Sequence, residues 1–179
     1  MKNNTEKIRC RTRGTSGQAL LELALTLFFL VFLITGIFDF SMAVRTSNTI
    51  ANMSREGAQL ASRSTIASQD IMNTLSDTAQ SLQMQNNGMM YITVVQGTGG
   101  TPQIQSQTGW QASTLKNTIQ SRIGTPTVQN PNPNAQNLSG INLTNGQTAT
   151  VVEVFYNYRS LFSSNLARLA RQFYSKTIL

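Results

Sequence analysis

The sequence contains no histidine and only one cysteine, Cys10. No disulfide can form within the chain, and no histidine- or cysteine-based metal site, catalytic triad or cysteine–histidine pair can be built from it. These absences exclude zinc hydrolases, triad hydrolases and cysteine proteases, and we expect no cofactor or metal. Charged residues make up only 12% and prolines number four, whereas apolar residues make up 40%. This composition argues against a wholly disordered chain.

The positive charge is concentrated at the N-terminus. Of the formal net charge of +7, residues 1–17 contribute +4, because five basic side chains there stand against Glu6. The basic residues that follow are scattered, whereas DNA-binding domains gather lysine and arginine on one face or helix. We therefore expect no nucleic-acid partner.

The acidic residues give little basis for catalysis. The carboxylates beyond residue 39 are far apart in sequence and lack the spacing of a calcium loop, so we predict a non-enzymatic protein without a small-molecule substrate. They are Glu56, Asp70, Asp77 and Glu153.

A long apolar stretch follows the basic leader. Ala19 to Phe38 comprises 20 residues with Glu22 as its one charged side chain, and as a helix it spans about 30 Å, the thickness of a bilayer's hydrocarbon core. Basic residues precede the stretch, and the first one after it is Arg45. The positive-inside rule therefore predicts a single-pass protein of the cytoplasmic (inner) membrane, with a cytoplasmic N-terminus and a periplasmic or extracellular C-terminal domain.

Three ordinary explanations compete for this stretch. A secretory signal peptide has a shorter apolar core and a small-residue cleavage site, for which Ser41-Met42-Ala43 is a poor match. A lipoprotein signal needs its cysteine after the apolar stretch, and Cys10 precedes it. A plain anchor fits the hydropathy but leaves Glu22 unexplained, although a carboxylate inside an apolar span is costly and usually functional.

The surroundings of Glu22 match a processing signal. Gly17 precedes the apolar run, and Glu22 follows it by five positions, which is the pattern of class III signal peptides read by prepilin peptidases. Cleavage between Gly17 and Gln18 would leave the apolar helix on the mature protein, with an ammonium group on Gln18. In helices packed side by side with an axial offset, the carboxylate of one could pair with the ammonium of another. The alternative is that Glu22 only reaches the headgroups from the first helical turn.

Residues 14–62 resemble the N-terminal region of TadE-like proteins, the pseudopilins or minor pilins of Tad (tight adherence, Flp-type) pilus systems. Three groups of residues carry the resemblance, and the role of Asp39, Arg55, Glu56 and Gly57 within them is not assigned. The groups are Gly17-Gln18-Ala19 with Glu22, then Gly36-Ile37-Phe38-Asp39-Phe40, and Ser54-Arg55-Glu56-Gly57-Ala58.

The resemblance implies a set of partners. A TadE-like protein is processed by the Tad prepilin peptidase and acts with other pilin subunits, a membrane assembly platform and an assembly ATPase. Leu23 stands where the major Tad pilin usually has tyrosine, which favours an accessory pseudopilin over the major subunit.

The pattern predicts an α+β, pilin-like fold in four parts. Residues 1–17 form the leader, 18–40 the transmembrane helix, 41–88 a helical stalk, and 89–179 an exported domain with a small antiparallel sheet. Apolar or small residues between residues 50 and 71 recur at alternating steps of three and four, which indicates one face of a helix. The small residues on this face would permit close approach of another helix, or the face packs on the protein's own sheet.

The remaining elements follow from local composition. Helix is expected to continue over 70–85 and to stop at Asn86-Asn87-Gly88. Strands are predicted over 89–96 and 148–158, with a final edge strand over 173–179. Loops are predicted over 97–109 and 125–146, and short helices over 110–123 and 161–171. Trp110, Tyr156 and Tyr158 could line a sugar or protein site, but core or rim positions are favoured.

The main functional hypothesis is a non-enzymatic pseudopilin that is cleaved after Gly17 and assembles through its N-terminal helix. The alternative is an uncleaved, N-terminally anchored extracytoplasmic binding or adhesion protein. N-terminal sequencing separates the two.

Overall fold

The computed structural model describes residues 15–138, 140–160 and 171–179. Residues 1–14 of the leader and residues 161–170 of the helix predicted over 161–171 lie outside these ranges. By its internal contacts the chain divides into two units, Met1–Ser41 and Met42–Leu179. The secondary structure is α+β, with a long N-terminal apolar helix followed by a four-stranded antiparallel sheet, so the predicted fold class is confirmed.

Helix α1 covers Thr15–Arg63. Its sequence contains no proline, the one residue that would remove a backbone donor and break the helix. Several hydroxyl side chains within it bond back to the carbonyl one turn earlier, as in the Thr49 bond to Arg45 O at 3.0 Å. Helix α2 covers Ser68–Thr78, and a short 3₁₀ turn over Gln80–Leu82 leads to α3, Met84–Asn87.

The helical prediction beyond residue 41 is only partly correct, because the helix breaks between α1 and α2. At the end of α1, Ser64 donates from both its backbone N and its hydroxyl to Leu60 O, at 2.9 and 2.6 Å. Ala67 is extended, with φ −61° and ψ 139°. The break lets α2 bury Ile71 and Leu75 in the same core as α1.

The sheet consists of four antiparallel strands, β1 (Gly88–Gln96), β2 (Gln103–Gly109), β3 (Thr148–Tyr158) and β4 (Arg171–Ile178), in the order β2-β1-β3-β4. The predicted strands at 89–96, 148–158 and 173–179 are confirmed as β1, β3 and β4. Strand β4 lies at an edge, as predicted. Strand β2 forms the other edge and pairs with β1, and the register of this pairing shifts between Val94 and Val95.

The sheet is covered on both faces. Because side chains alternate along a strand, Val152 and Val154 share one face, and Val152 lies against α1 at Gly57. Val151 and Glu153 share the opposite face. There Val151 packs in a second cluster with Ile123 and other residues of the irregular segment over 110–147. The central run of β3, residues 151–156, is therefore buried.

Two predictions about the segment between β1 and β3 are wrong. Residues 103–109 form a strand rather than a loop, and residues 110–123 form a series of turns rather than a helix. The turns are held by the sheet, since Ser113 Oγ donates to Gly88 O at 2.6 Å and Tyr91 Oη donates to Ile119 O at 2.7 Å. The predicted irregular loop over 125–146 is confirmed for the described residues of that range.

Candidate assembly surface

The apolar part of α1 in the first unit exposes nearly all of its side chains. We call the large apolar side chains from Leu20 to Phe40 the apolar band; each is between 50% and 71% exposed. The helix that contains the band is long and apolar enough to cross a membrane. No residue of its most apolar 18-residue segment is buried in the protein. In water such a surface would be strongly unfavourable. The band is therefore a membrane anchor by length and composition, and a surface that needs an apolar neighbour.

The hydroxyl groups in and beside the band bond to the helix itself. Thr26 Oγ1 donates to Glu22 O at 2.7 Å, and Thr35 Oγ1 donates to Val31 O at 2.7 Å. Ser41 Oγ donates to Ile37 O at 2.8 Å. Hydrogen-bond donors inside a bilayer must find partners within the protein. These three side chains therefore add little cost to insertion.

Glu22 and Gln18 meet at the start of the band. Both side chains are exposed, and Gln18 Nε2 donates to Glu22 Oε1 at 3.2 Å across one helical turn. Gly17 lies within the first turn of α1, and a Cβ built there would have nothing within 4 Å. The structure thus brings Gln18 and Glu22 together beside an uncrowded glycine, while the roles predicted for these three residues remain predictions.

The other matching residues fall into two places. Asp39 is half-buried on α1 in the first unit, whereas Arg55 and Glu56 are exposed on α1 in the second unit. Ser54 and Gly57, which flank Arg55 and Glu56 on α1, are buried instead.

Gly57 lies at a close contact between α1, α2 and the sheet. A Cβ at this position would lie 2.9 Å from Leu75 Cδ1 and 3.2 Å from Val152 Cγ1. Ser54 is fully buried, and its hydroxyl lies 2.8 Å from Ser175 Oγ and 2.9 Å from Thr177 Oγ1 on β4. This face of α1 therefore packs within the protein, against both helix α2 and the sheet.

A buried carboxylate in the second unit was not singled out by the sequence. Glu153 is 0% exposed in the middle of β3, and it accepts hydrogen bonds from three groups. Ser121 Oγ donates to its Oε2, while the backbone N of Arg122 and the phenol of Tyr174 donate to Oε1, each at 3.0 Å. The only signal in the sequence is a glutamate inside the apolar run Val151-Val152-Glu153-Val154-Phe155.

The carboxylate ties the irregular segment to the sheet. The Arg122 guanidinium lies over the ring of Tyr174, 4.2 Å from its centroid, so Arg122 packs against one of the residues that bind Glu153. Burial, the Glu153 charge and its hydrogen bond raise the pKa of the Tyr174 phenol far above its ordinary value. Burial and the Glu153 charge also raise the pKa of Tyr91. The Glu153 carboxylate is buried and accepts hydrogen bonds from two other segments of the chain, so it acts as an internal anchor.

The aromatic residues considered for ligand binding lie in or beside the core. Trp110 is 2% exposed and its indole donates to Asn73 Oδ1 at 2.8 Å. Tyr156 is 9% exposed, and Tyr158 packs against Phe173 with ring centroids 5.3 Å apart. Among the described residues, no three acidic or cysteine side chains come close enough together to hold a metal ion.

Comparison with known proteins yields one family. The model of the family described as TadE-like protein matches residues 17–59, which confirms the resemblance read from the sequence. The match ends inside α1, before the first strand. It relates the chain to Tad pilus systems and their components in general. No curated protein and no solved structure matches the chain.

Proposed function

We propose that the chain, whose residues 17–59 match the model of the TadE-like family, is a non-enzymatic accessory pseudopilin, or minor pilin, acting in Tad pilus assembly. In this proposal a prepilin peptidase cleaves after Gly17. Residues 18–40 then span the inner membrane with the N-terminus in the cytoplasm, and the unit Met42–Leu179 is exported. The apolar band mediates lateral contact with other pilin subunits and with the assembly platform.

The observation that carries the proposal is the position of Glu22 at the start of an exposed apolar band. A carboxylate in a bilayer costs on the order of 2–3 kcal/mol at mid-helix and less near the end. In a plain membrane anchor, no interaction would offset this free-energy cost. A second helix that brings a positive charge to the same depth would recover it, since opposite charges attract strongly in low dielectric.

Cleavage itself would supply that positive charge. Removal of residues up to Gly17 takes away the carbonyl groups that accept the first backbone N–H groups of the remaining helix, and it leaves an ammonium on Gln18. The new helix N-terminus is therefore doubly positive, through the ammonium and the helix dipole. Glu22 of a neighbouring subunit, offset along the axis, is placed to pair with it, which would set the axial register of the assembly.

Processing is tested by expressing the full chain with its prepilin peptidase and sequencing the mature N-terminus. We expect the mature protein to begin at Gln18. Gly17→Val should block cleavage, because a bulky side chain replaces the glycine just before the cut. Gly36→Val is the matched control, since a Cβ at either glycine meets nothing within 4 Å. An N-terminus that stays at Met1 in the native host would refute the proposal and favour an anchored binding protein.

The role of Glu22 is tested separately by Glu22→Ala. The variant should insert and be cleaved normally, because removing a charge from an apolar helix favours insertion. It should fail to enter pilus or platform complexes recovered by crosslinking. Glu56→Ala is the control, since Glu56 is an exposed carboxylate of the same helix outside the apolar band. Wild-type recovery of Glu22→Ala in the complexes would make the carboxylate incidental.

A further inference from the structure

An N-terminal Gln18 could react with itself, independently of any role in assembly. This inference rests on the proposed cleavage after Gly17, which gives Gln18 a free α-amine. The amine of an N-terminal glutamine reaches its own carboxamide carbon and closes a pyrrolidone ring without any co-reactant. Gln18 is exposed, and its carboxamide makes an exposed hydrogen bond to Glu22.

We propose that Gln18 of the mature subunit is a self-modification site that converts to pyroglutamate. The deprotonated α-amine attacks Cδ, so a bond forms between the backbone N and Cδ while the bond between Cδ and Nε2 breaks. Nε2 leaves as ammonia and takes up a proton given up by the attacking amine. No atom is oxidised or reduced, and the product is a neutral lactam.

The hydrogen bond between Gln18 and Glu22 restrains this reaction. Nε2 donates to Glu22 Oε1 at 3.2 Å, and Glu22 lies one turn further along the helix. The bond therefore draws the carboxamide away from the amine at the start of the chain, and it must break before the ring closes. The net strength of one such bond predicts that Glu22 slows cyclisation by a factor of roughly three to ten.

Cyclisation would change the assembly surface. The lactam removes the ammonium that pairs with the Glu22 of a neighbouring subunit, and it also removes the Nε2 donor. A cyclised subunit therefore presents Glu22 without a complementary charge. Glu22 would act twice, first by preserving the ammonium of its own subunit and then by pairing with the ammonium of another.

The experiment follows the N-terminal peptide by mass spectrometry. The full chain is expressed with its peptidase, purified in detergent and incubated, and samples are digested over time. We expect peptides that begin at Gln18 to become lighter by one ammonia and resistant to Edman degradation. Conversion should be three- to tenfold faster in Glu22→Ala. Gln18→Asn is the matched control, because its shorter side chain cannot close the same ring.

Each other outcome contradicts a defined step. Peptides that start at Gln18 and keep their full mass, under conditions in which a synthetic peptide of the same first residues cyclises, would overturn the modification. Equal rates in wild type and Glu22→Ala would overturn the restraint by Glu22. Peptides that start at Met1 would instead overturn the proposed cleavage, a result that differs from both.

Discussion

Replacing Glu153 by alanine should destabilise the second unit strongly. The substitution removes the one acceptor shared by Ser121, the Arg122 backbone N–H and Tyr174. These donors are part-buried, and each one left without a partner costs up to about 1–3 kcal/mol. Relief of a buried negative charge offsets part of the sum, so we expect the free energy of unfolding to fall by about 3–5 kcal/mol.

The variant Glu153→Gln separates the loss of the negative charge from the loss of the hydrogen-bond acceptor. Glu153→Gln keeps the side-chain volume and one oxygen for the Arg122 and Tyr174 donors, and its nitrogen can donate to the Ser121 hydroxyl. We therefore expect a loss of only about 1–2 kcal/mol, the difference between charged and neutral hydrogen bonds. Glu56→Ala removes an exposed carboxylate and should stay within about 0.5 kcal/mol of wild type.

The chain provides its own probe for the assay. Trp110 is the only tryptophan and is 2% exposed, so its fluorescence should shift to longer wavelength when the second unit unfolds. Urea titration of the full chain in detergent then gives the free energy of unfolding of each variant. A Glu153→Ala protein within about 1 kcal/mol of wild type would refute the anchoring role of this carboxylate.

Two further predictions concern the same unit. Burial and the Glu153 charge raise the pKa of Tyr174 above its ordinary value of 10.0, so the folded state holds the proton more tightly, and stability that is complete below about pH 10 should fall as the pH rises further. The urea midpoint of Tyr174→Phe should change less between about pH 9 and about pH 11 than that of wild type, and an equal change would contradict this reasoning. Gly57→Val should lower the free energy of unfolding by about 2–3 kcal/mol, because its side chain would collide with Val152, and the same fluorescence titration measures the loss. Gly36→Val, with open space at its Cβ, should leave the second unit unchanged, and an equal loss in both variants would point to helix propensity instead of packing.

Local patterns were enough for the elements that carry their own signal. The apolar run from Ala19 to Phe38 predicts a long helix because it combines helix-forming residues with an absence of proline. The strand over 148–158 was predicted with its observed bounds, since a β-branched and aromatic run follows Gly146. The spacing of Gly17 and Glu22 was likewise visible without any structure.

Elements that depend on distant partners could not be predicted in the same way. Residues 103–109 are mostly polar, and they form a strand because the edge of β1 offers backbone partners. Residues 110–123 have a helix-like composition, yet Ser113 and Ile119 bond to the sheet and hold the segment in turns.

The sequence by itself determined the apolar stretch from Ala19 to Phe38, its single carboxylate Glu22 and the glycine before it, because each is a feature of neighbouring residues along the chain. Only the tertiary structure decided what Gly57 and Glu153 do. Gly57 leaves room for Leu75 and Val152, and Glu153 receives donors from two other segments. Both roles arise from contacts between residues far apart in sequence, which local periodicity and composition do not record.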